Sequence, residues 1–293
     1  MVSQDLIKKI RHLEITTRRL LNGTLVGDSR SAIKGSGFEF DQIRDYQLGD
    51  DIRFIDWASS LRMQKMLVKQ YFEERNRTII IALDVSSSGL FSSSDEHKLA
   101  TMAQVACVLA LVAEYGKDAV GLLLFSDTVE LYLPPSRGKA HVHELMRKVM
   151  GYVPEKGKKT NITVALDYLA SLPTTRATVF LLSDCIDHND HQLEKAFKIV
   201  GKKYETTVIR CLDVYETTLP AIGMITLEDA ETGQTCMVHM DGSKKSRMDD
   251  FLQQRLQWQR SLFKKCTIDH LDIAVHKPFM DDLIKFFCKR MMY

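Results

Sequence analysis

From Thr78 onward, short apolar-rich runs alternate with longer segments whose apolar positions recur at helical spacing. The runs at 78–84, 119–126, 177–183 and 206–213 are rich in Val, Ile and Leu and bounded by polar or turn residues. Such runs predict strands buried on both faces. The segments 96–115, 139–150, 161–171 and 189–201 predict helices. Val129 to Leu133 follows its neighbour closely enough to be an antiparallel edge strand. After Val214 come two short strands near 223–227 and 235–239, joined through Glu231-Thr232-Gly233. A helix from about 246 to 264, a strand at 267–274 and a last helix over 279–291 complete the pattern. Strands and helices in this alternation predict an α/β fold, doubly wound, with a mostly parallel sheet covered by helices on both faces.

The stretch before Thr78 reads differently. Leu6, Ile10, Leu13 and Leu20 or Leu21 give 3–21 the spacing of an amphipathic helix, stopped by Asn22-Gly23. Gly27 to Gly37 is loop by composition. The charged and aromatic segments 38–46 and 49–57 have no clean period, so ordered loops and short strands are expected there, with a strand at 67–72. The expected division is an N-terminal segment, 1–77, and an α/β domain, 78–293, carrying a β-hairpin insertion near 220–240.

Composition narrows the function classes. Forty basic against thirty-eight acidic side chains leave a formal net charge of +2 over 293 residues. Nothing in that balance calls for nucleic acid or an anionic membrane. The six cysteines include no C-x-x-C pair and sit mostly in apolar runs, as free thiols in a reducing compartment do. The start of the chain is charged and amphipathic, unlike a secretory signal. The longest apolar run, Val105 to Ala113, is about half a membrane span. A cytoplasmic protein with no membrane span and no nucleic-acid partner is expected.

The candidate chemistry lies where the first α/β strand ends. Asp84, Ser86 and Ser88 form Asp-x-Ser-x-Ser at the C-terminal end of the 78–84 run. In open α/β sheets that edge is where ligands bind. An all-oxygen set suits a hard divalent cation such as Mg²⁺. Ser, Asp and Gly after a strand are also ordinary turn residues. Two features favour the site over the turn. Thr160 opens the 161–171 helix, where it is expected at the N-cap, and Asp184 ends the 177–183 run behind Ser183. If the two strands are neighbours, three polar ends meet in one crevice.

Asp-x-Ser-x-Ser, then Thr, then Asp resembles the metal-ion-dependent adhesion site of von Willebrand factor A domains. The likeness extends along the chain. Lys34-Gly35-Ser36-Gly37-Phe38-Glu39-Phe40, Arg44-Asp45-Tyr46, Gly49-Asp50-Asp51-Ile52-Arg53 and Ile55-Asp56-Trp57 resemble the block preceding the A domain in the bacterial "domain of unknown function 58" family. So do Val120 to Ser126, Leu133 to Gly138 and Leu219 to Gly223. The resemblance implies that Asp84, Ser86, Ser88, Thr160 and Asp184 hold a divalent cation, Mg²⁺ first, with Mn²⁺ or Ca²⁺ as alternatives. It also implies a non-catalytic, chaperone-like role beside a MoxR-type AAA+ ATPase, assembling or activating a client that presents an acidic residue to the ion. Gly89 stands where the family often has Met, which spares the ligand oxygens but is expected to loosen the loop.

Other clusters compete. Asp50, Asp51 and Asp56 lie close to Arg53 and Trp57. They read either as a second metal or acid–base site, or as a folded loop whose acids pair with arginines and cap backbone amides. The block is also the alternative partner-binding surface for a metal-independent scaffold. His141 with His143, and His188 with His191, have chelating spacings but fall where loops enter helices, as surface histidines do. Gly151 to Lys158 has one residue too many for a phosphate loop and follows a helix. A metal-dependent phosphatase using Asp84 as nucleophile would need an acid two residues on, where Ser86 stands.

Overall fold

The computed structural model describes residues 13, 15, 17, 39–47, 50–72, 77–91, 97–155, 157–174, 176–186, 190–216, 218, 223–228, 233–275 and 277–291. They fall into two compact units, one spanning 16–76 and the other 1–15 with 77–293. Leu13, Ile15 and Thr17 are helical, inside the helix expected over 3–21. The rest of that helix and the Gly27 to Gly37 loop lie outside the described residues.

In the smaller unit, β1 (Glu39–Asp45) runs antiparallel to β2 (Leu67–Phe72), with a register irregularity between Phe40 and Gln42. Between them a short helix, α1 (Trp57–Met63), begins at Asp56, whose carboxylate accepts from the Ser59 N–H. β1 is one of the short strands expected over 38–57, whereas the helix lies mostly past that segment, where no element was expected. The helix buries none of its residues, so no apolar stripe marks it in the sequence.

The larger unit is built on six strands: β3 (Thr78–Asp84), β4 (Ala119–Phe125), β5 (Val129–Ser136), β6 (Thr178–Leu182), β7 (Glu205–Leu212) and, after the hairpin β8 (Met224–Glu228) and β9 (Thr235–His239), β10 (Asp269–Ala274). Their order across the sheet is β10-β7-β6-β3-β4-β5, all parallel except β5. β5 extends past Leu133 through Pro134 and Pro135, which lack the N–H a central strand needs and are tolerated at an edge.

Side-chain alternation along β3 divides the core. Ile81 and Leu83 face α2 (Lys98–Tyr115), α3 (Lys139–Met150) and the last helix; Ile80 and Ala82 face α4 (Ile162–Ser171), α5 (Asp190–Lys203) and α6 (Gly242–Lys265). The last helix is α7 (Met280–Met291). α6 starts four residues before the sequence pattern announces it, because the Asp241 carboxylate caps the Lys244 N–H. α2 is long and apolar enough to cross a membrane, but two-thirds of it is buried inside this unit. β3 is the first strand of the domain and has β4 on one side and β6 on the other, so chain order reverses there. In open α/β sheets ligands bind outside the C-terminal strand ends at such a switch point, here those of β3 and β6.

Candidate functional site

Leu83 lies level with Leu182 across the β3–β6 pair, so Asp84 and Ser183 come out side by side where the strands end. The Ser183 hydroxyl donates to Asp84 Oδ2 at 2.6 Å, and the Ser86 N–H donates to Oδ1 at 3.0 Å. Asp84 is buried. Desolvation, then the charge of Asp184, push its carboxyl up to about 6 against the pull of these hydrogen bonds.

After Asp84 the chain turns through a short 3-10 segment, Ser87–Leu90. The turn is tied to the loop before α4, since the Ser87 N–H donates to the Lys158 carbonyl at 3.0 Å. Those ties bring three hydroxyls together. Ser86 Oγ and Ser88 Oγ are 3.0 Å apart, Thr160 Oγ1 donates to Ser86 Oγ at 2.8 Å, and Ser88 Oγ is 3.4 Å from Thr160 Oγ1. Thr160 is not the N-cap it was expected to be. Asn161 caps α4 by accepting from the Val164 N–H, which leaves the Thr160 hydroxyl to face the serines.

The donor set fits a small hard cation. Two oxygens at right angles around Mg²⁺, each ~2.1 Å from it, are ~3.0 Å apart, whereas around Ca²⁺ they are about 3.3–3.7 Å apart. Two edges of the hydroxyl triangle match the smaller ion and the third lies nearer the larger. Among the described residues no group of three or more His, Cys, Asp or Glu side chains is placed to hold a metal. The site's donors are instead mostly hydroxyls, with Asp84 and Asp184 beside them.

Asp184 is held from two directions. Its Oδ1 accepts from the Ile186 N–H at 3.1 Å, and its Oδ2 from the Lys98 ammonium at 2.8 Å. Burial alone would raise this carboxyl, but the Lys98 charge and these hydrogen bonds hold it below the usual carboxylate range. Lys98 is 1% exposed and also donates to Glu216 Oε1 at 2.5 Å. Desolvation disfavours its charge, yet the two carboxylates more than offset that and raise its pKa. Neither Lys98 nor Glu216 stood out in the sequence. The one available signal was a lysine at the start of an otherwise apolar helix.

Gly89 packs its backbone against α2, where an added Cβ would sit 3.2 Å from Leu99 Cβ. The missing side chain is thus matched by close approach of the turn to the helix.

Among the described residues, the acids of the Asp50–Trp57 block pair separately. Asp50 pairs with Arg44 through two contacts of 2.7 Å, Asp51 pairs with Arg53 at 2.7 Å, and Asp56 caps α1 and lies 3.6 Å from Lys69. Each acid has its own partner, as the folded-loop reading expects. Trp57, by contrast, is 63% exposed. His141 Nε2 lies 2.8 Å from the Val120 carbonyl. His188 and the His191 side chain lie outside the described residues.

An uncharacterized protein of Mycobacterium bovis, Mb1516, is 26% identical to this chain over 287 residues, 96% of this chain and 88% of that protein. The uncharacterized protein Rv1480 of Mycobacterium tuberculosis aligns with the same identity and coverage. Similar solved structures include the conserved hypothetical protein BatB from Bacteroides thetaiotaomicron, at a TM-score of 0.47 and 16% identity over 74% of this chain and 98% of that one. They also include the SpRpn10 VWA domain, at a TM-score of 0.40 and 11% identity over 72% and 94%. The family profile described as "Protein of unknown function DUF58" matches residues 42–260, and the chain belongs to that family.

Proposed function

We propose that this chain is a non-catalytic interaction module whose grip on a protein partner depends on a divalent cation, Mg²⁺ first. Ser86, Ser88 and Thr160 would hold the ion, with Asp84 and Asp184 supplying negative charge beside it. The ion's contribution is an electrophilic centre for a partner's Asp or Glu. The hydroxyl triangle carries this reading, with edges of 2.8, 3.0 and 3.4 Å beside two buried carboxylates. A MoxR-type AAA+ ATPase and its client are the proposed partners, on the strength of the family resemblance.

Catalysis by Asp84 fits the geometry poorly. Both its oxygens already accept hydrogen bonds inside the protein, and Ser86 occupies the position of a general acid. A metal-independent scaffold is the second reading. It is favoured by the exposure of Trp57 (63%) and Leu61 (81%) on α1.

Co-purification from the native cell, with and without chelator, tests the proposal. Loss of an AAA+ ATPase on chelation is the expected result. Its retention in chelator would favour the scaffold, and phosphate release from generic esters would favour the phosphatase.

A further inference from the structure

The pairing of Lys98 with both Asp184 and Glu216 bears on how tightly the site holds a cation. An ammonium taken out of water is costly unless carboxylates surround it. Lys98 meets that requirement by reaching from the start of α2 to the strand end of β6 and to the turn after β7. Its Nζ lies 2.8 Å from Asp184 Oδ2 and 2.5 Å from Glu216 Oε1, with the Phe91 ring centre 5.8 Å away. The second oxygen of each carboxylate is also engaged. Asp184 Oδ1 accepts from the Ile186 N–H, and Glu216 Oε2 accepts from the Asp213 N–H at 2.9 Å. A divalent ion drawing on Asp184 must therefore share that carboxylate with a positive charge already in place.

We propose that Lys98 is a resident counter-cation that competes with the divalent ion for Asp184, and that Glu216 sets how strongly it competes. The inference rests on the cation-site reading and adds what determines its affinity. Glu216 neutralises part of the lysine's charge and draws it away from Asp184. The two partners of one ion pair therefore act on the site with opposite sign. Removing the lysine's charge tightens cation binding, and removing the glutamate's charge weakens it. A merely structural pair would not behave this way, because breaking it from either side would loosen the site in the same direction.

The test is calorimetric titration of Mg²⁺ into the metal-stripped full chain. Lys98→Met is expected to bind on the order of tenfold more tightly than wild type, and Glu216→Gln several-fold more weakly. Lys98→Met with Glu216→Gln should resemble Lys98→Met alone, because Glu216 acts through the lysine. If Lys98→Met leaves too much unpaired charge to fold, the double variant, which removes both charges, stands in for it. If that also fails, Glu216→Gln decides alone. Unchanged or weaker binding after loss of Lys98, or unchanged or tighter binding in Glu216→Gln, overturns the proposal. If wild type binds no Mg²⁺ but a Lys98 variant does, the counter-cation role stands and the cation-dependent module falls. If no form binds, both fall.

Discussion

Gln259, on α6, donates its side-chain amide to the Cys185 carbonyl at 2.6 Å across 74 residues of sequence. Cys185 directly follows Asp184 and has a φ of +56°, a left-handed conformation uncommon for a residue with a Cβ. The amide therefore anchors a strained turn beside the candidate site. Gln259 Oε1 also accepts from the fully buried Arg210, which joins α6, β7 and the Asp184–Cys185 turn.

Gln259→Leu should be destabilising, because it takes the Gln259 amide from the buried Cys185 carbonyl and one of several acceptors from the Arg210 guanidinium, at a total cost of about 1–3 kcal/mol. Urea denaturation measures the loss. A change below about 0.5 kcal/mol would mean that the turn holds its shape unaided.

Arg210 is also gripped by Asp272, at 2.7 and 2.8 Å. Burial pushes the Asp272 carboxyl up, but the Arg210 charge and hydrogen bonds from Arg260 and Arg210 hold it below its ordinary value. A depressed carboxyl stabilises the fold above its unfolded pKa of about 3.9, and that stabilisation is lost as pH falls through the lower folded value. Asp272→Asn should lower stability at pH 7 by up to about 3–5 kcal/mol and flatten the acid limb of the stability–pH curve. Parallel acid limbs in the two proteins would show that the pair is not what titrates.

Gly121, inside β4, leaves only a tight fit for a side chain. An added Cβ would lie 3.0 Å from the Leu133 carbonyl oxygen and from Pro135, both on the adjoining edge strand. Gly121→Ala should cost about 1–3 kcal/mol by forcing the edge strand outward, which thermal melts would register. A neutral substitution would mean that β5 yields freely.

A partner's carboxylate and Ser86, on the proposed reading, act through one shared contact. Removing either should weaken binding by a similar factor, and removing both should add little more. A double-mutant cycle on the purified pair checks this. Simple additivity would place the docking surface elsewhere, with the exposed Trp57 as the next place to look.

The centre of the sheet could be read from the sequence because β3, β4 and β6 are buried on both faces, so their apolar runs are unbroken. The Asp-x-Ser-x-Ser turn and Asp184 were legible for the same reason, since strand ends are where such runs stop. Helix α1 was hidden because it buries nothing, and the start of α6 because its first turn is polar. Thr160 does lie beside the serines, but not as the cap its spacing predicts, since Asn161 competes for the cap and takes it. Lys98, Glu216 and Gln259 escaped notice because their partners are 86, 118 and 74 residues away, and no local spacing encodes such pairs.

The most direct measurement is a thermal melt of the wild type and of Ser86→Ala, each with saturating Mg²⁺ and with chelator. A cation that binds only the folded chain, at a hundred times its dissociation constant, adds about 2.7 kcal/mol. For a domain of this size that raises the melting temperature by about 5–10 °C. The wild type should show that rise. Ser86→Ala should fold, melt slightly below the chelated wild type because the Thr160 hydroxyl loses an acceptor, and not respond to Mg²⁺. Superimposable wild-type melts with Mg²⁺ and with chelator, supported by calorimetry detecting no binding, would contradict the cation site.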